Sequence, residues 1–112
     1  MIHFLFSLLF SSVFVFYGNV NFALSEDIDL DAGSQVFSQN CSGCHAGGNN
    51  SVNPSKTLKL TDLNKYGKDS IDKIIYQVRN GAGAMPAFDD LSDEEVSNVA
   101  NFVLSQAKND TW

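Results

Sequence analysis

Residues 41 to 45 read Cys-Ser-Gly-Cys-His, and little else in the chain can share whatever chemistry they perform. The 112 residues hold two cysteines, Cys41 and Cys44, with two histidines and two methionines. Cys-x-x-Cys-His is the attachment pattern of c-type haem. Two thiols at this spacing lie along one edge of a porphyrin and add to its two vinyl groups, while the following imidazole turns beneath the iron. Cys41 and Cys44 are therefore the expected thioether anchors and His45 the expected axial ligand of one covalently bound haem c. Three other readings compete for these residues. A Cys41–Cys44 disulfide closes so small a loop that it restrains little unfolded-state entropy. A thioredoxin-like redox pair needs alternating strands and helices nearby, and none is visible. A structural zinc needs four ligands, whereas beyond residue 25 only Cys41, Cys44 and His45 are of the usual kind.

Ile2 to Phe22 is apolar and Phe-rich, and Ala23-Leu24-Ser25 gives a small-x-small pattern for cleavage before Glu26. Residues 1–25 are expected to be an export signal peptide and 26–112 the folded domain. The apolar core, Phe4 to Tyr17, spans 14 residues, short of the roughly 20 that a membrane span needs. An uncleaved anchor is the rival reading, and the absence of Lys and Arg before this core departs from the usual signal. All 7 basic and 13 acidic residues lie from Glu26 onward, so the net charge of −6 belongs to the domain and excludes a basic nucleic-acid binder. A domain of 87 residues is small enough that a staple usually supplements its core. Covalent haem is that staple, because its apolar face fills a centre that the chain alone could not.

The second landmark is Gly81-Ala82-Gly83-Ala84-Met85-Pro86-Ala87-Phe88. Pro86 bars helical geometry at Met85, and the small residues before it suit a loop lying close against a flat cofactor. A lone methionine is more often core filler. Here it is the only Met of the domain and no second His remains, so Met85 is the expected sixth ligand of the metal, opposite His45. Such a pair raises the reduction potential and closes the open coordination position, which favours electron transfer over oxygen or peroxide chemistry.

Elsewhere helix signals dominate. Asp31 to Gln39 carries Ala32, Val36 and Phe37 on one stripe, with Asp29 or Asp31 near its start. Ser70 to Arg79 places Ile71, Ile74, Ile75 and Val78 at i, i+3, i+4, i+7, and Asp69 or Ser70 can cap it. Ser92 and Glu95 form a capping box before Val96, Val99, Ala100, Val103 and Ala107, predicting a helix to about Lys108. A shorter turn is expected over Leu60 to Tyr66, after a Gly-, Asn- and Ser-rich loop from Ala46 to Lys56.

From about Ile28 to Trp112 the chain resembles the cytochrome c6 family, the small class I c-type cytochromes of cyanobacteria and algal plastids. The likeness rests on Cys41 to Asn50, Lys56 to Leu58, Ile74 to Val78, Asn80-Gly81, Gly83 to Phe88 and Val99 to Ala107. It implies an all-α class I cytochrome c fold of three to four helices around a covalently attached haem. It also implies a soluble one-electron carrier in the thylakoid lumen, taking electrons from cytochrome f of the cytochrome b6f complex and giving them to photosystem I, with no enzymatic activity. Gly33 and Phe37 match a glycine and an aromatic on the first helix, where the last helix crosses closely and Phe102 packs; most relatives carry Tyr at the last of these. Gln77 matches a glutamine that lies by the haem and influences its potential; the alternative is a solvated polar residue on a helix flank. Asn49 and Lys56 are placed near the haem or its propionates. A plastid homologue with altered function carries an additional cysteine pair, which this chain lacks.

Two acidic runs, Glu26 to Asp31 and Asp89 to Glu95, read either as solvated helix starts or as a surface that steers the carrier toward basic patches on membrane complexes. Arg79, the only arginine, stands just before the Met loop. It either orients docking at the haem edge or caps the C-terminus of its own helix. The carrier is expected to be a monomer. Two functional alternatives stand beside it: delivery to a terminal oxidase, and a haem enzyme or sensor whose Met85 swings away.

Overall fold

The structure, a computed structural model, describes residues 27–112. The signal-peptide reading of residues 1–25 lies outside them. Helices form where the apolar spacing calls for them: α1 Leu30–Asn40, α2 Ser42–His45, α3 Leu60–Lys65, α4 Ile71–Asn80 and α5 Asp93–Asn109. Among the described residues there is no strand, and no helix is long and apolar enough to cross a membrane.

Each long helix starts at a side-chain cap that satisfies an orphan amide. The Asp29 carboxylate accepts from the Ala32 N–H at 2.9 Å, and the Ser70 hydroxyl accepts from the Lys73 N–H at 3.3 Å. Ser92 and Glu95 exchange both bonds of a capping box, at 3.1 and 3.0 Å. The α4 helix ends at Gly81, whose φ of +67° is the left-handed conformation a glycine adopts without strain.

The α5 helix is the spine of the core. Its Val96, Val99, Ala100, Val103, Leu104 and Ala107 are buried, and Val36 and Phe37 of α1, Leu63 of α3, and Ile74 and Val78 of α4 pack into the same cluster. The α1 and α5 helices cross where Gly33 has no side chain. A Cβ there would stand 2.7 Å from the Asn98 carbonyl carbon and 2.9 Å from the Phe102 Cβ. Asn98 is buried at this crossing, and its Oδ1 accepts the Asp29 N–H at 3.1 Å, so the capping residue of α1 is itself pinned to α5. Beyond the crossing, Phe37 meets Phe102 with ring centroids 5.5 Å apart and Trp112 at 5.4 Å. The Trp112 ring lies against Gly48, where a Cβ would stand 2.5 Å from it, and its buried Nε1 finds no partner among the described residues.

The expected turn at Leu60 to Tyr66 is the short α3. Two elements go beyond the three-to-four-helix expectation. The Cys41 to His45 segment winds into α2, and Ala46–Gly48 continues as a 3₁₀ turn. Gly47 and Gly48, at φ +64° and +75°, then reverse the chain, so the predicted loop begins three residues later than Ala46.

Candidate functional site

The helices leave a cavity of about 820 Å³, within the range of small-molecule sites. Ile74, Val78, Val99 and Val103 form its apolar floor, and Leu58 and Phe88 extend it. Into this cavity the fold brings Cys41, Cys44 and His45 from the α2 region and Met85 and Gln77 from the α4 end.

On the α2 side the geometry is local. The His45 N–H bonds back to the Cys41 carbonyl at 2.9 Å, so one helical turn holds both thiols and the imidazole together. The His45 Nδ1 stands 2.9 Å from the Asn49 carbonyl oxygen. A carbonyl only accepts, so Nδ1 carries the proton and Nε2 keeps its lone pair for a metal. This contact is made by the Asn49 backbone, and its side chain is not among those lining the cavity. Burial pushes the Cys41 thiol up to about 11. That is opposite to the depressed thiolate a dithiol redox pair needs. Both cysteines are free.

On the other side, Gly81 to Phe88 folds into a tight turn. Ala82 and Met85 exchange both backbone bonds, at 3.1 and 3.0 Å, around Gly83 at φ +58°. Gly81 permits this: a Cβ there would stand 2.5 Å from the Met85 carbonyl and 2.8 Å from the Ala87 nitrogen. Gln77 donates from Nε2 to the Met85 sulfur at 3.6 Å, which makes it more than a solvated flank residue. Lys56 also lines the cavity, its Nζ 5.1 Å from the centre of the Tyr66 ring.

The remaining wall was not foreseen from the sequence. Asn50 accepts the Val52 and Asn53 N–H groups at 3.1 and 2.8 Å and donates to the Lys56 carbonyl at 2.9 Å, closing a loop over the cavity. The preference of Asn for such local backbone bonds was the available signal. Asp62 accepts from the Thr57 N–H at 3.1 Å and from its hydroxyl at 2.6 Å. The Thr57 bonds, with Lys65 and Lys59 nearby, hold its carboxyl below the ordinary 3.8. A lowered folded-state value contributes stability that is present above pH 3.8 and lost as pH falls through the folded value. Asp62→Asn should therefore lose less stability than the parent between about pH 5 and pH 3, measured by urea unfolding. Equal losses would show that the Thr57 contact carries no such linkage.

Arg79 does not cap the C-terminus of its own helix. It donates from Nη1 to the Leu91 carbonyl at 2.7 Å and pairs through Nη2 with Asp93, across the Met loop. The two acidic runs do converge, since Asp27 lines one shallow recess with Asp93 and Glu94.

The residues fit a haem. An apolar cavity of suitable size is edged by two free thiols in attachment spacing, an imidazole with a free nitrogen, and a thioether. A helical shell of this order around such a set is that of a class I c-type cytochrome. The family described as "Cytochrome C oxidase, cbb3-type, subunit III" matches residues 28–103. Cytochrome c6 of the alga Gracilaria tenuistipitata var. liui is 50% identical over 96 residues, covering 85% of this chain and 87% of that one. The chain belongs to the cytochrome c6 family, haem proteins of photosynthetic electron transport. Cytochrome c6 of Microcystis aeruginosa is 57% identical over 77 residues, 68% of this chain and 95% of the relative. The solved cytochrome c6 of the diatom Phaeodactylum tricornutum superposes with a TM-score of 0.71 at 49% identity, covering 72% of this chain and 97% of that one.

Proposed function

We propose that residues 26–112 are the mature form of a soluble carrier in the thylakoid lumen. It takes one electron from cytochrome f of the cytochrome b6f complex and delivers it to photosystem I. The reading rests on one observation: a single apolar cavity gathers Cys41, Cys44, His45 and Met85 from two separate stretches of chain. When bound, haem c supplies a one-electron iron couple. Cys41 and Cys44 would hold it covalently, and His45 and Met85 would be the ligands of its iron.

The chain's own groups set the conditions for fast transfer. The Asn49 carbonyl fixes the imidazole, and the Gln77 amide N–H draws electron density from the Met85 sulfur. Ile74, Val78, Val99 and Val103 keep water from the floor of the site. Ala82, Gly83 and Ala84 are exposed at the rim, so little side-chain bulk separates the cavity edge from a partner. The converging Asp27, Asp93 and Glu94 steer the carrier toward basic docking surfaces at low ionic strength.

The test is flash-induced re-reduction of photosystem I by the purified holoprotein, whose intact mass should exceed that of its polypeptide by one haem. Faster re-reduction than in its absence, diminishing as salt is raised, is the expected result. A rate that does not change on addition of the protein removes the photosynthetic role.

A further inference from the structure

We propose that Arg79 is a positioning residue for Met85: its guanidinium ties the two ends of the 81–91 loop and so holds the thioether at the cavity. Arg79 sits in the last turn of α4, Leu91 is the buried residue just before the cap of α5, and Asp93 is the first residue of α5. The two Arg79 bonds therefore span the entire segment that carries Met85. Its other long-range backbone tie is the Phe88 N–H to the Val78 carbonyl at 2.9 Å, in the middle of the segment. Between Phe88 and the cap of α5 the chain makes no backbone bond, and Asp89 and Asp90 are exposed. The guanidinium is what closes that stretch.

The Leu91 carbonyl is the stronger hold, because that bond is partly buried and charge-assisted. Asp93 is fully solvent-exposed, so its pairing with Arg79 is screened. Arg79 is a quarter exposed, its planar fork occupied by the two acceptors rather than free for a partner.

The inference extends the reading of Met85 as an iron ligand, and the experiment separates the two. Amide hydrogen exchange of the holoprotein is measured for Arg79→Gln, Arg79→Lys and Asp93→Asn, together with the rate at which cyanide binds the ferric form. Exchange at the Ala82, Met85 and Phe88 amides reports the loop whatever Met85 binds. Arg79→Gln is expected to speed exchange at these amides roughly tenfold while Val99 and Ala100 of α5 keep their protection. Asp93→Asn should change them by no more than about threefold, and Arg79→Lys, which reaches one acceptor, should fall between. Cyanide binding should accelerate in the same order. Loop amides that exchange as in the parent, or that speed only in step with α5, overturn the tie. If the amides respond and the cyanide rate does not, the tie stands as a property of the loop alone, and the proposal that it positions Met85 for iron is overturned.

Discussion

Replacing Met85 by alanine is expected to lower the reduction potential by on the order of 0.1–0.3 V, within the roughly 0.8 V span that axial ligands command. The thioether stabilises ferrous iron, and without it water or a weak ligand takes the position. Met85 is only half-buried at the margin of the core, and the turn around it is held by backbone bonds that an alanine keeps. The fold should therefore survive, leaving the potential and the ferric spectrum as clean readouts. A potential and spectrum like the parent's would show that iron takes its sixth ligand elsewhere, and the electron-carrier reading would lose its closed coordination sphere. Productive peroxide binding by the parent, with Met85 in place, would instead favour the enzyme alternative.

The second large effect concerns the fold. Gly33→Ala sets two principles against each other. Helix propensity alone predicts a gain of about 1 kcal/mol, since glycine is poor in a helix interior. The crossing predicts the reverse, because the new Cβ meets the Asn98 backbone and the Phe102 Cβ at distances that real Cβ atoms do not occupy. The Asn98 backbone cannot swing aside as a flexible side chain could. Overpacking at about 3 kcal/mol, the upper end of its usual range, should win by about 2 kcal/mol net. For a domain of this size that lowers the midpoint of thermal unfolding by roughly 8–16 °C. A midpoint equal to or above the parent's would mean that α1 and α5 can separate at little cost.

What could be read in advance was what depends on near neighbours in sequence. The Ser92–Glu95 box and the Ile74–Val78 stripe each lie within one or two turns, and the structure places them as the spacing predicts. Gly33 was legible for a different reason: it weakens a helix, and the resemblance supplied what that weakness is for. Contacts between distant segments were not legible. Arg79 is separated from its partners Leu91 and Asp93 by 12 and 14 residues, with a loop between, and no local pattern marks a guanidinium for a carbonyl that far away. Asn49 illustrates another limit. Its contact with His45 is made by a backbone carbonyl, which any residue type carries, so a reading of side chains has no signal for it. The short α2 has no amphipathic period of its own, being a single turn.

Trp112 was passed over because it follows the polar run Lys108-Asn109-Asp110-Thr111 and belongs to no stripe. Yet its ring closes on Gly48, Phe37 and Phe102, and the Thr111 hydroxyl donates to the Gln106 side chain at 3.0 Å to bring the tail back. The Trp112 ring is thus a wedge between α1, α5 and the turn that follows His45. Stripping away that indole, as in Trp112→Ala, would leave an open seam beside the Gly48 turn, so the seating of the Cys41–His45 segment depends on a side chain far along the chain.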